Sequence, residues 1–162
     1  MVKMAIEATG LGKNYRDGLI RRRNFRALAN VDLGVPKGEI FGLLGPNGAG
    51  KTTFIKILLG IIKKTEGNAE VLGHPAGSRE ARRCIGYLPE QMRIPRHLTG
   101  KTALEYYGSL NGMSVKDVRA ASPSLLELVG LAERGGDLAR KYSKGMVQRL
   151  GLAQAQALHH AF

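Results

Sequence analysis

Residues 45–53 read GPNGAGKTT, and the fold turns on that stretch. It fits the pattern G-x-x-x-x-G-K-S/T, with Gly45, Gly50, Lys51 and Thr52 at the fixed places. Small residues let a backbone curl until several N–H groups point inward at a phosphate. A helix starting just behind adds its positive end. The context agrees: EIFGLLG, residues 39–45, is a nearly continuous apolar run, as expected of a strand buried on both faces. Behind the loop, Thr53 to Ile62 carries Phe54, Ile57, Leu58 and Ile61 at helical spacing. The reading is a phosphate loop between strand and helix. Lys51 reaches the outer phosphates, the Thr52 hydroxyl is placed to ligate Mg2+, and Thr53 serves an inner phosphate. A plain glycine turn is the competing reading, but such turns do not usually carry Lys and Thr at these offsets.

Outward from the loop, Val2, Met4, Ile6 and Ala8 alternate with mostly polar neighbours, as do Ala27, Ala29, Val31, Leu33 and Val35. Both read as strands. GLIRRRN, residues 18–24, is a charged break, read as a solvated loop rather than a binding patch. PKG, residues 36–38, turns the chain. EGNAEVLGH and RRCIGYLPE look like two more strands, with HPAGSREAR between them as a short loop or helix. No strand is evident after Pro89. From Thr99 the pattern is helical, in GKTALEYYGSL and PSLLELVGL. The expected organisation is a phosphate-loop and β part over residues 1–92 and a helical part over 93–162.

Composition narrows the partners. The 162 residues hold 25 Lys and Arg against 13 Asp and Glu, a formal net charge of +12, and 43% hydrophobic residues. Such a chain favours polyanions. Cys84 is the single cysteine, so no intrachain disulfide forms, which fits a reducing compartment. No apolar run is long enough for a signal-peptide core or a membrane span.

Longer stretches point to a family. ALANVDLGVPKGEIFGLLGPNGAGKTTFIKILLGIIKKTEGNAEVLG resembles the first half of the nucleotide-binding domain of ATP-binding cassette (ABC) transporters. IGYLPE is similar to the strand entering that family's Q-loop. YSKGMVQRLGLAQA resembles its signature segment, usually L-S-G-G-Q, and the helix behind it. The resemblance runs from about Ile6 to Leu158, with the three motifs in order, and the wording YSKGM and GYLPE looks most like simple two-component exporters. It implies an α/β fold: an ABC-type P-loop NTPase core, an antiparallel β piece and a helical subdomain.

The resemblance also implies roles. Gly45, Pro46, Asn47, Gly48, Ala49, Gly50, Lys51, Thr52 and Thr53 would hold ATP with Mg2+. Tyr15 would stack on adenine, against the alternative of a strand-end Tyr without ligand. Glu90 or Gln91 would reach Mg2+ and the attacking water, the register between them staying open. Ser143, Lys144 and Gly145 would grip the γ-phosphate held by a second nucleotide-binding domain in a head-to-tail dimer. Lys144 replaces a glycine of the family and Met146 its glutamine; Ser143 also reads as an ordinary N-cap.

The family's Asp-Glu pair and switch His do not occur after the signature helix, and His159 and His160 lie too near that helix to serve as the switch. The expectation is therefore a truncated ABC domain with its C-terminal strands missing and an open apolar sheet edge. It binds ATP–Mg and hydrolyses it poorly, although its family is an ATP hydrolase. Its partner is a transmembrane permease subunit, and its place is cytoplasmic, peripheral at the inner face of the cell membrane. A nucleic-acid-associated ABC ATPase is one alternative, set against by the YSKGM wording. A non-catalytic remnant that pairs with an intact subunit is the other.

Overall fold

Alternating apolar residues become two long antiparallel strands, β1 (Met4–Asp17) and β2 (Arg23–Pro36). A computed structural model describes residues 3–17 and 23–157 of the chain. Most of the charged break GLIRRRN, and His159 and His160, lie outside them; Arg23 and Asn24 belong to β2. β3 (Glu66–Val71) and the two-residue β4 (His74–Pro75) complete one antiparallel sheet of order β2-β1-β3-β4. Ala8 pairs with Ala69, and Ile6 with Val71. The inward positions Ala8, Leu11, Leu28, Val35, Ala69 and Val71 are buried. Helices α1 (Lys51–Leu58) and α2 (Arg79–Arg83) complete this first unit, Met1–Arg83.

Two expected strands do not form. Residues 39–45 carry no strand hydrogen bonding, and Ile40, Phe41 and Leu44 are exposed, Ile40 fully. An apolar run becomes a buried strand only when neighbours supply a ladder and cover its faces. Among the described residues no strand pairs with it. Residues 84–90 of RRCIGYLPE are likewise not a strand, and Arg82 and Arg83 close α2. α1 also stops sooner than the periodicity suggests: the Leu59 N–H bonds back to Ile55, and Gly60 turns the chain at φ 72°. Ile61 is left 59% exposed.

The second unit, Cys84–Phe162, is helical. It contains α3 (Gly100–Leu110), α4 (Val115–Leu128) and α5 (Lys144–Ala157), with 3-10 turns at Ala132–Arg134 and Ala139–Lys141. α3 coincides with GKTALEYYGSL. It starts with a reciprocal cap, in which the Thr102 N–H donates to Thr99 Oγ1 at 3.2 Å and the Thr99 N–H to Thr102 Oγ1 at 2.8 Å. α4 begins well before Pro123, because Ser114 Oγ accepts the Asp117 N–H at 3.1 Å and caps it there. The apolar faces meet over Leu104, Val118, Leu125, Leu126, Leu131 and Leu150. Burying each such side chain is worth about 1.5–3 kcal/mol.

Residues 84–92 cluster with these helices rather than with the sheet, for a local reason. A Cβ on Gly86 would lie 2.6 Å from the Ala155 carbonyl oxygen, and one on Gly151 would lie 2.5 Å from Leu88 Cδ1. The segment therefore lies directly against the α5 backbone.

Candidate functional site

The phosphate loop takes its shape from glycine. Gly50 is the N-cap of α1 at φ 89°, a left-handed value that glycine adopts readily. A Cβ there would sit 2.4 Å from the Ala27 carbonyl oxygen and 2.7 Å from Leu28 Cδ2. The end of the loop is thus seated on β2. Inside the loop the Ala49 N–H donates to the Pro46 carbonyl at 3.2 Å. The first intrahelical bond is Phe54 N–H to the Gly50 carbonyl at 2.8 Å. The N–H groups of Lys51, Thr52 and Thr53 precede it and have no acceptor within the helix.

The first turn of α1 contains no acidic residue of its own to offset the positive end of the helix. Lys51 Nζ donates to the Gly45 carbonyl at 2.5 Å and the Pro46 carbonyl at 2.8 Å, which draws the ammonium over the loop. Thr52 is exposed and Thr53 half-buried. A cavity of about 150 Å³ adjoins the loop, lined by Leu28, Asp32, Leu43, Gly50, Lys51 and Phe54 among others.

Tyr15 lies at the end of β1, opposite Phe25 of β2, and is half-buried. Lys13 Nζ stands over its ring at 5.0 Å from the centroid. The backbone here is fixed from the side: the Asn14 N–H donates to Thr65 Oγ1 and its side-chain amide to Glu66 Oε1, each at 3.1 Å. Lys13 belongs to none of the sequence motifs. A cation two residues from an aromatic is the only trace of it in the sequence. Asp32 was also missed. Its Oδ1 accepts the Gly10 N–H at 2.7 Å, which ties β2 to β1 beside the cavity.

The remaining expected residues belong to the second unit. Glu90 and Gln91 are exposed, in an irregular segment. The Tyr107 hydroxyl, its pKa raised first by burial, donates to the Arg93 carbonyl at 2.8 Å and ties the segment to α3. Ser143 Oγ accepts the Met146 N–H at 3.2 Å, so Ser143 does cap α5. Lys144 and Gly145 are exposed in its first turn, which holds no acidic residue. A Cβ on Gly145 would meet only Ser143 Oγ, at 3.9 Å, so this backbone is open to close approach.

The chemistry on offer is anion binding at two helix starts, one of them wrapped by a glycine loop with its own lysine. Mg2+ bound with a nucleotide takes most of its ligands from phosphates and water, adding one or two protein oxygens. The Thr52 hydroxyl fits that part. Among the described residues, no group of three or more His, Cys, Asp or Glu side chains gathers to hold a metal by itself.

The family profile described as ABC transporter matches residues 28–162. An uncharacterised ABC transporter ATP-binding protein of Synechocystis sp. is 41% identical over 152 residues, covering 93% of this chain and 43% of its own length. The Nod factor export ATP-binding protein I of a Rhizobium sp. is 37% identical over 157 residues, covering 96% of this chain and 49% of its own length. The daunorubicin resistance ATP-binding protein of Streptomyces coeruleorubidus is 38% identical, covering 94% and 47%. The chain thus spans a little under half the length of these relatives.

Among solved structures, an ATP-binding subunit of an ABC transporter superposes with a TM-score of 0.77 at 28% identity, over 95% of this chain and 62% of that one. A dimeric cassette in a post-hydrolysis state, bound to ADP and Pi, gives 0.78 at 24% identity and supports the fold. The fold is that of an ABC-type α/β P-loop cassette.

Proposed function

Since the chain belongs to the ABC transporter family, we propose that it is the ATP-binding part of an ATP-driven exporter, holding Mg–ATP on Gly45–Thr53. The observation that carries this reading is the loop itself: Lys51 folded over the Gly45 and Pro46 carbonyls at the start of a helix without acidic residues. Phosphate oxygens are better acceptors for that ammonium than amide carbonyls, so a nucleotide draws Lys51 onto its phosphates. Tyr15 receives the adenine. Glu90 or Gln91 serves the metal and the attacking water.

Ser143, Lys144 and Gly145 meet the γ-phosphate of a nucleotide held by a second domain, in a head-to-tail pair. A transmembrane permease is the mechanical partner, and the protein works from the cytoplasmic face of the membrane. Export is supported by the relative named for Nod factor export.

Binding of a fluorescent ATP analogue, compared between the parent and Lys51→Ala, tests the reading. Loss of a charged hydrogen-bonding group lowers affinity on the order of ten- to a hundredfold. Equal affinity would remove the phosphate-loop assignment.

A further inference from the structure

Tyr15 is not left to find a base alone. Lys13 Nζ lies over one face of its ring, 5.0 Å from the centroid, and the same ammonium donates to the Lys63 carbonyl at 2.7 Å. β1 is irregular on both sides of Lys13, and such bulges re-aim side chains. Around them the strand end is held by Thr65 and Glu66. Lys13 pairs with Leu28, the residue on which Gly50 of the phosphate loop is seated. Two residues of strand, about 7 Å, separate it from Tyr15. The ring therefore stands within nucleotide reach of the loop.

We propose that Lys13 is a positioning residue for base recognition: tethered to the Lys63 carbonyl, it closes one face of Tyr15 and fixes the ring so that the purine stacks on the other. The inference rests on the reading that Tyr15 receives adenine. Its physical basis is preorganisation. A ring already held by a cation loses less freedom when the base arrives. Because the ammonium is occupied by the ring and the carbonyl, its effect falls on the base and not on the phosphates.

The test compares ATP with inorganic tripolyphosphate, which carries the phosphates without a base, by competition against a fluorescent nucleotide in the full chain. Lys13→Met keeps the length of the stem and removes the charge. It is expected to weaken ATP roughly two- to fivefold, the size of an exposed cation–π contact, and to leave tripolyphosphate unchanged. Lys13→Arg, which keeps the cation, restores ATP affinity. In a Tyr15→Ala background the Lys13→Met effect vanishes.

An equal loss for both ligands would show Lys13 acting on phosphate charge and overturn the inference. So would a loss that persists without Tyr15. If Tyr15→Ala itself leaves ATP affinity unchanged, the adenine reading fails, and this inference with it. Unchanged tripolyphosphate binding in each variant reports an intact loop, which separates these outcomes from misfolding.

Discussion

Replacing Gly50 by alanine tests whether the loop is held in place by contact with β2. Two costs arise. The backbone sits at φ 89°, and holding an L-residue in left-handed conformation costs roughly 1–2 kcal/mol. The added Cβ also meets the Ala27 carbonyl oxygen at 2.4 Å, short of the ~3.3 Å at which C···O contacts become ordinary. Relieving such crowding costs about 1–3 kcal/mol. Gly48→Ala separates the two, since Gly48 has φ 84° but nothing within 4 Å of its ideal Cβ. It incurs the backbone cost alone. Both variants share the entropy gained by restricting the unfolded chain, so the difference between them is the contact with β2.

That difference is expected to be about 1–3 kcal/mol. With a urea slope on the order of 1–3 kcal/mol per M, the two midpoints separate by roughly 1 M. The chain has no tryptophan, so far-UV circular dichroism follows the transition. Coincident midpoints for Gly48→Ala and Gly50→Ala would refute the seating of the loop on Ala27 and Leu28.

In the helical unit, Tyr142→Phe removes the hydroxyl that donates to the Arg134 carbonyl at 2.8 Å. It should cost about 1 kcal/mol and lower the thermal midpoint by about 2–4 °C; an unchanged midpoint would mean that the bond contributes nothing. The Glu105 carboxyl is held below its ordinary pKa first by the hydrogen bond from Arg119 and then by its charge. Its contribution to stability is present above the unfolded-state pKa and is lost as pH falls through the lowered folded value. Acid titration of parent and Glu105→Gln should therefore differ in slope on the acid side and run parallel near neutrality.

Several elements were legible because local chemistry alone builds them. The helical pattern of GKTALEYYGSL marks α3, and glycines at fixed offsets with Lys51 and Thr52 mark the loop. The alternating pattern of Ala27 to Val35 gave β2 because β1 lies beside it to complete the ladder. Residues 39–45 have an equally clear apolar pattern and form no strand, since a strand needs partners that its own sequence does not contain. The helical pattern PSLLELVGL covers only the second part of α4, which the Ser114 cap starts earlier, at Val115. Within the candidate site, the loop could be read by position. The Lys13–Tyr15 contact could not, because it depends on an irregular strand that no spacing rule encodes.

The seam between residues 86–92 and α5 has a mechanical consequence. Where side chains fill a gap, a push on one element is absorbed as the rotamers between them readjust. Gly86 brings backbone to within touching distance of the Ala155 carbonyl, and Gly151 leaves only Leu88 and Met92 against the middle of the helix. At Gly86, backbone meets backbone and no rotamer lies between the two to yield. A displacement of the chain at Gly86 therefore passes to the Ala155 end of α5 backbone against backbone, without a side chain between to soften it.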